Sequence, residues 1–211
     1  MNVNEIDNNR TALLFFDMLN VYFHGVAEKK MERLCPVIAN AVRLREAAHN
    51  ASIPIFYAKA NHRRDGAAMN RVVTDTDMRL RPWANGVCSP ALHAATEGSW
   101  EAEVIEELKP GPADYVIPKY RWNAFHQTYL DLALRARGID TIILSGGAID
   151  VGVASTAYAA RDLDYNLVIA RDACSNSFDD SAAVFMETVF PRMARVRTTD
   201  QVLALIAGRA R

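Results

Sequence analysis

Residues 144–156 read Leu-Ser-Gly-Gly-Ala-Ile-Asp-Val-Gly-Val-Ala-Ser-Thr. The segment 140–145 has the composition of a buried strand, two glycines follow it, and small residues then indicate a helix. In an open α/β sheet, such a turn presents backbone amides to a ligand at the carboxyl end of a strand. Gly152 stands where a nucleophilic side chain would be expected, so the stretch predicts a ligand site without the obvious reactive atom.

Short apolar runs alternate with helical patterns along the rest of the chain. We predict strands at 11–16, 53–58, 115–118, 140–144, 167–170 and 195–197, and helices at 29–50, 100–108, 123–137, 151–164, 181–193 and from residue 199. This alternation is typical of a parallel sheet covered on both faces. Without a composition break, repeat or low-complexity linker, the sequence predicts one α/β domain over residues 1–211. We expect a three-layer αβα Rossmann-like fold with a six-stranded, mainly parallel sheet.

Composition argues against several classes of partner. The chain has 211 residues, is 50% hydrophobic and has a formal net charge of −1, so it lacks the basic surface of nucleic-acid and anionic-membrane binders. No apolar run is long enough for a membrane span, and residues 1–10 are unlike a signal peptide. Cys35, Cys88 and Cys174 form no Cys-x-x-Cys pair, which favours reduced thiols. We therefore expect a cytoplasmic protein without membrane or nucleic-acid partners.

Three features fall at the predicted carboxyl ends of strands. Asp17 follows the first strand, Lys119 follows the third, and the Gly146-Gly147-Ala148 turn follows the fourth. An Asp and a Lys at neighbouring strand ends can form a pair that tunes a proton donor or base. The alternatives stay open: Asp17 could be a helix cap or salt-bridge partner, Lys119 a solvated lysine, and the glycines an ordinary tight turn.

Taken together, three motifs resemble the isochorismatase-like hydrolase superfamily. They are Asp17-Met18-Leu19-Asn20, the block from Lys119 to Phe125 (Lys-Tyr-Arg-Trp-Asn-Ala-Phe), and the turn from Gly146 to Gly152. Their order and spacing match over about residues 11–190, and Asp172-Ala173-Cys174 after the fifth strand also fits. The resemblance implies a single isochorismatase-like hydrolase domain that needs no cofactor and forms a homodimer or homotetramer.

The resemblance also implies roles for the matching residues. In the cysteine-hydrolase branch, a nucleophilic cysteine occupies the position of Gly152, with Asp17 and Lys119 as its partners. The isochorismatase branch proper carries glycine there and cleaves a vinyl ether without a covalent intermediate. By position, Asp17 would be the general acid, Lys119 its partner, and Gly152 would leave room for substrate. A cis peptide bond is expected between Gly147 and Ala148.

Four positions depart from the superfamily pattern. Leu19 stands where Gln is frequent, Asn123 where Ser is usual, Ala148 where isochorismatases have Tyr, and Asp150 where they have His. A carboxylate at position 150 would repel a dicarboxylate such as isochorismate unless it faces away from the pocket.

Further residues are candidates for substrate contact. Besides Gly147, Ala148 and Asp150, we predict that substrate is bound by Tyr22, Phe23, His62 and Trp122. Trp83 is a further candidate for the pocket wall, with core packing as the alternative for each aromatic residue. One arginine of the long loop 61–98 could hold an acidic substrate, although a solvated or interface loop is the commoner case. Those arginines are Arg63, Arg64, Arg71, Arg79 and Arg81.

Metal chemistry has little support in the sequence. The histidines (His24, His49, His62, His93 and His126) show no metal-ligand spacing, and residues 59–63 lack the Asp of the metal-binding relatives. We therefore predict no metal site.

Three functions remain open. The sequence favours non-covalent, vinyl-ether type hydrolysis of a small polar molecule. The alternatives are a small-molecule binding or regulatory protein that has lost catalysis, and an amidase with an unorthodox nucleophile such as Cys88 or Cys174.

Overall fold

A computed structural model describes residues 4–68, 95–176 and 182–208. These residues contain one sheet of six parallel strands in the order β3-β2-β1-β4-β5-β6. The predicted α/β class and the six-stranded sheet are therefore confirmed, and every strand pair is parallel. The strands are β1 (Thr11–Phe16), β2 (Ile55–Ala60), β3 (Tyr115–Lys119), β4 (Thr141–Gly147), β5 (Asn166–Ser175) and β6 (Arg195–Arg197).

Helices pack on both faces of this sheet, so its central strand β1 is buried on both sides. In β1, Ala12, Leu14 and Phe16 face one apolar core, and Leu13 and Phe15 face the other, as the two-residue period of a strand requires. The first core includes residues of α3 (Leu130–Ala136) and α4 (Ala154–Asp162), and the second includes residues of α2 (Glu28–Asn50) and α5 (Thr199–Ile206). A short helix α1 (Asn20–Phe23) follows β1. No helix of the described segments is long and apolar enough to cross a bilayer.

The strand order places a topological switch beside β1. The chain runs from β1 outward to β2 and β3, then returns to the opposite side of β1 to form β4. Ligands of open α/β sheets bind outside the carboxyl ends of the strands at such a switch. The residue after β1 and the glycine turn of β4 therefore meet at the expected ligand position.

The predicted helix at 123–137 is too long at its start. Only Leu130–Ala136 is helical, and residues 123–129 form turns. Side chains compete with the helix for backbone groups here: Asn123 Oδ1 accepts from the backbone N–H two residues on, and Thr128 Oγ1 donates to the carbonyl four residues back. Gln127 also has a φ of 55°, in the left-handed region.

The predicted helix at 100–108 is wrong. Two 3₁₀ turns stand in its place, Trp100–Ala102 and Glu106–Leu108. Between them the backbone bonds to the segment after β1 instead of to itself. Asn20 N–H donates to the Glu103 carbonyl at 2.9 Å, and Ile105 N–H donates to the Met18 carbonyl at 3.0 Å.

Other boundaries differ by smaller amounts. β2 begins two residues later than predicted, and β5 continues to Ser175 past a register shift against β4. The predicted helix at 151–164 begins as a π-helical turn, Ile149–Val153, and only Ala154–Asp162 is α-helical. Within the predicted helix at 181–193 lie a π-helix, Val184–Val189, and a 3₁₀ turn, Phe190–Arg192, while position 181 itself lies outside the described residues.

Gly146 allows β1 and β4 to approach closely at this edge. It has a φ of +125°, and a Cβ added to it would lie 2.1 Å from the Phe16 carbonyl oxygen. Two requirements therefore coincide at one residue: a backbone conformation that side chains disfavour and a contact with backbone that cannot move away.

We expect Gly146→Ala to lower the free energy of unfolding by about 3 kcal/mol or more, because conformational strain and overpacking add. Gly138→Ala is the control: Gly138 also has a positive φ, +70°, but a Cβ there would meet nothing within 4 Å. That control should cost only about 1 kcal/mol. Urea denaturation measures both values, and equal losses would contradict the close approach.

Candidate active site

A cavity of about 280 Å³ opens at the carboxyl edge of the sheet. Each of the five strands β1 to β5 contributes its last residue or the residue that follows. The lining residues at these strand ends are Phe16, Asp17, Ala60, Lys119, Gly147 and Ser175.

Asp17 and Lys119 form a buried ion pair in this cavity. Lys119 Nζ lies 2.7 Å from Asp17 Oδ2, and the two residues are 4% and 7% exposed. Asp17 Oδ1 accepts a second hydrogen bond from the Ala60 backbone N–H at 2.7 Å. Both carboxylate oxygens are therefore engaged, which fixes the orientation of the carboxyl group.

The backbone also orients Asp17. Its φ is 47°, in the left-handed region, which Asp tolerates better than most residues. Its N–H donates to the Ala58 carbonyl and its own carbonyl accepts from Leu19 N–H, each at 2.8 Å. The chain therefore turns sharply as β1 ends and presents the carboxyl group to the cavity.

Lys119 has two further contacts. Its Nζ lies 4.2 Å from the centroid of the Phe16 ring, within cation–π distance. The same Nζ lies 3.4 Å from the Arg121 carbonyl oxygen. The ammonium is thus held by a carboxylate, a carbonyl and a ring face.

The glycine turn forms the opposite side of the cavity. The peptide bond between Gly147 and Ala148 is cis, as the family resemblance implies. Gly152 lies in the π-helical turn that follows and lines the cavity. A Cβ added to it would lie 2.0 Å from Phe16 Cε1, so glycine packs directly against the ring.

Most of the predicted substrate-binding residues reach this cavity. Tyr22, His62, Trp122, Gly147 and Ala148 line it, together with Asp17, Lys119 and Gly152. Phe23 does not, because α1 turns it into the core, where it is fully buried.

Asp150 does not line the cavity either. Its Oδ1 is buried and has no hydrogen-bond partner among the described residues. A carboxylate at position 150 would repel an acidic substrate only if it faced the pocket. Because Asp150 is not part of the lining, this repulsion is not expected.

Sequence reasoning missed several lining residues: Phe16, Lys30, Ala60, Tyr120, Arg121, Val151, Ser175 and Asn176. Tyr120 and Arg121 belong to the block that carries the resemblance and could have been found there. Ser175 was hidden because the predicted fifth strand ended too early. Lys30, near the start of α2, carries no local signal of its role.

The loop arginines of the described part lie away from the cavity lining. Arg63 pairs with Asp65 at 2.7 Å, which holds the pKa of that exposed carboxyl at about 2. Arg64 Nε donates to the Glu97 carbonyl. The other three arginines named above, together with Trp83, His93 and Cys88, lie outside the described residues.

The two ends of this loop region meet at His62. Its N–H donates to the Ala95 carbonyl at 2.8 Å, and its carbonyl accepts from Glu97 N–H at 2.8 Å. These two hydrogen bonds hold His62 against residues 95–97 at the rim of the cavity.

Two further histidines form ion pairs outside the cavity. His24 pairs with Glu107 at 3.0 Å and His49 with Asp114 at 3.3 Å. Within residues 4–68, 95–176 and 182–208, no group of three His, Cys, Asp or Glu side chains is placed to hold a metal ion.

Comparison with known proteins identifies the family. A family model described as the isochorismatase domain matches residues 11–201. The chain belongs to the isochorismatase family. Family members of similar sequence include an uncharacterized isochorismatase family protein of Bacillus subtilis (strain 168), 34% identical over 207 residues, or 96% of this chain and 97% of that protein.

Two further relatives carry more specific names. The ureidoacrylate amidohydrolase RutB of Pantoea ananatis is 32% identical over 199 residues, covering 86% of this chain and 77% of that protein. Among solved structures, a cysteine hydrolase from Pseudomonas syringae pv. phaseolicola is 25% identical, with a TM-score of 0.79 over 97% of this chain and 95% of that chain. Both similarities place this isochorismatase-family chain among hydrolases.

The described cysteines should differ strongly in reactivity. Burial raises the pKa of the Cys174 thiol to about 12, so its thiolate fraction at pH 8 is on the order of 10⁻⁴, whereas Cys35 is exposed. We expect iodoacetamide to label Cys35 rapidly and Cys174 only after denaturation. Peptide mass spectrometry measures both sites, and fast labelling of Cys174 in the native protein would contradict its burial.

Proposed function

We propose that the protein hydrolyses a small, vinyl-ether type molecule without a covalent intermediate, with Asp17 as general acid and Lys119 as its partner. The buried Asp17–Lys119 pair carries this proposal, because it puts an acid–base pair at 2.7 Å inside the cavity. None of the described residues that line the cavity is a cysteine.

The reaction follows from the chemistry of an enol ether. Asp17 is a carboxylate in the ion pair, so it first takes up a proton. This acid form then gives the proton to the terminal methylene carbon, and the ether carbon becomes an oxocarbenium ion. Water adds to that carbon and returns a proton to Asp17. The hemiketal then loses its hydroxyl proton and breaks its bond to the alcohol oxygen, which takes up a proton, so the products are an alcohol and a ketone.

Lys119 assists when the proton leaves Asp17. Its ammonium donates to Asp17 Oδ2, so it stabilises the carboxylate that forms as the methylene is protonated. The Ala60 N–H acts on the other oxygen in the same way. Both donors are already in place, so stabilising the carboxylate requires no reorganisation.

The charges around the cavity favour an acidic substrate. Asp17 is the one carboxylate among the described lining residues, and Lys119 balances it. Lys30 and Arg121 add two further cations, and arginine is well suited to a substrate carboxylate. An enolpyruvyl ether, which carries a carboxylate on the enol carbon, fits both the charge and the proposed chemistry.

Amide hydrolysis is the second candidate, because relatives named amidohydrolase and cysteine hydrolase are similar over most of the chain. It would require an unorthodox nucleophile. Ser175, whose side chain carries an aliphatic hydroxyl, lines the cavity, whereas Cys174 beside it is buried and has a raised pKa.

We expect Asp17→Asn to lower the turnover of an enolpyruvyl ether roughly 10³-fold, because the amide cannot supply the proton. The assay measures pyruvate release. The control is Asp114→Asn, since the Asp114 side chain is also buried, at 4% exposure, but lies outside the cavity. This control should keep turnover within about twofold. If Asp17→Asn retained full turnover, Asp17 would not be the acid; a native protein that binds such ethers without turnover would be the binding protein instead.

A second measurement separates the two chemistries. Turnover in deuterated water should place one solvent deuterium in the methyl group of pyruvate, because the methylene is protonated by an exchangeable group. Intact-mass spectrometry during turnover should show no added mass on the protein. An acyl adduct on Ser175, Cys88 or Cys174 after incubation with amide substrates would favour the amidase.

A further inference from the structure

We infer that the Phe16 ring determines which side chains position 152 can carry, and so excludes a nucleophilic side chain from that position. A Cβ at Gly152 would lie 2.0 Å from Phe16 Cε1, 2.3 Å from Cζ and 2.9 Å from Cδ1. Real Cβ atoms do not approach ring carbons so closely, so either the ring moves or the side chain is excluded.

The ring has little freedom to move. Phe16 is 2% exposed and packs in the core formed with α3 and α4. Its backbone is paired on both sides, with Ala58 of β2 and Gly146 of β4. The Lys119 ammonium lies over the ring face, so displacing the ring would also remove a contact of the ion pair.

Phe16 and Gly152 are therefore one coupled unit. The aromatic ring takes the volume that a side chain at 152 would need, and the glycine leaves room for the ring. A single change at 152 cannot add a thiol or hydroxyl in the present geometry, whereas a smaller residue at 16 would release the space.

The link between this coupling and a reaction without a covalent intermediate rests on the proposed function. The steric coupling itself stands on geometry, and the experiments below measure stability and labelling instead of turnover. Failure of the proposed hydrolysis and failure of this inference would thus be seen separately.

The first experiment is a thermal double-mutant cycle. We expect Gly152→Ala to lower Tm by roughly 5 °C in the native background, and by no more than roughly 1 °C when Phe16→Val is also present. Gly111→Ala is the matched control, because a Cβ there would meet only Asp114 Oδ2, at 3.5 Å. Phe16→Leu replaces Phe16→Val if the latter is too unstable to measure. Equal losses in both backgrounds would overturn the inference.

The second experiment tests access by a thiol probe. The variants Gly152→Cys and Phe16→Val/Gly152→Cys are treated with iodoacetamide, and labelling is located by peptide mass spectrometry. Buried Cys174 reports any opening of the structure in the same sample. We expect the double variant to be labelled at 152 at least roughly 10-fold faster than the single variant while Cys174 stays protected.

The single variant should be labelled at 152 slowly, or only together with Cys174. If it were instead labelled as fast as the double variant with Cys174 protected, position 152 would accept a side chain beside Phe16. That result would overturn the inference.

Discussion

The ion pair between Asp17 and Lys119 is the interaction on which the cavity depends. Two opposite charges lie 2.7 Å apart at positions only 7% and 4% exposed. Removing one partner from a buried pair leaves an uncompensated charge and costs about 3–5 kcal/mol. A buried ion pair is therefore weak evidence of a stabilising role. Because this pair lies in a cavity, it is a candidate for a role in binding or catalysis.

The surrounding backbone serves to bring that pair together. β1 and β3 are separated by β2 in the sheet, so the two side chains meet across the end of β2, whose Ala60 N–H binds the same carboxyl group. On the other side, Gly146 lets β4 approach the Phe16 carbonyl closely, which brings the glycine turn and Gly152 to the ring of Phe16. The order of the strands, the glycine turn and the packing of the Phe16 ring thus all shape the surroundings of the Asp17 carboxyl group.

The sequence was a good guide where a signal was local and periodic. All six strands were predictable, because short runs alternate with helical patterns along the chain. The contact of Asp17 with Lys119 was expected from neighbouring strand ends, but β2 lies between their strands, and the pair forms across the end of β2. Helix predictions failed where side chains or distant backbone take the hydrogen bonds, as at Asn123 and at the Glu103 carbonyl. Phe23 and Lys30 show a further limit: which face of a helix meets the cavity is decided by tertiary packing.

The backbone pairing at His62 has a consequence for how this histidine is held beside the cavity. Its N–H and carbonyl bond to Ala95 and Glu97, which lie 33 and 35 residues further along the chain. Contacts between residues so far apart in sequence are opposed by the entropy of closing the intervening chain. The side of the cavity that His62 lines is therefore assembled only when two distant parts of the sequence come together.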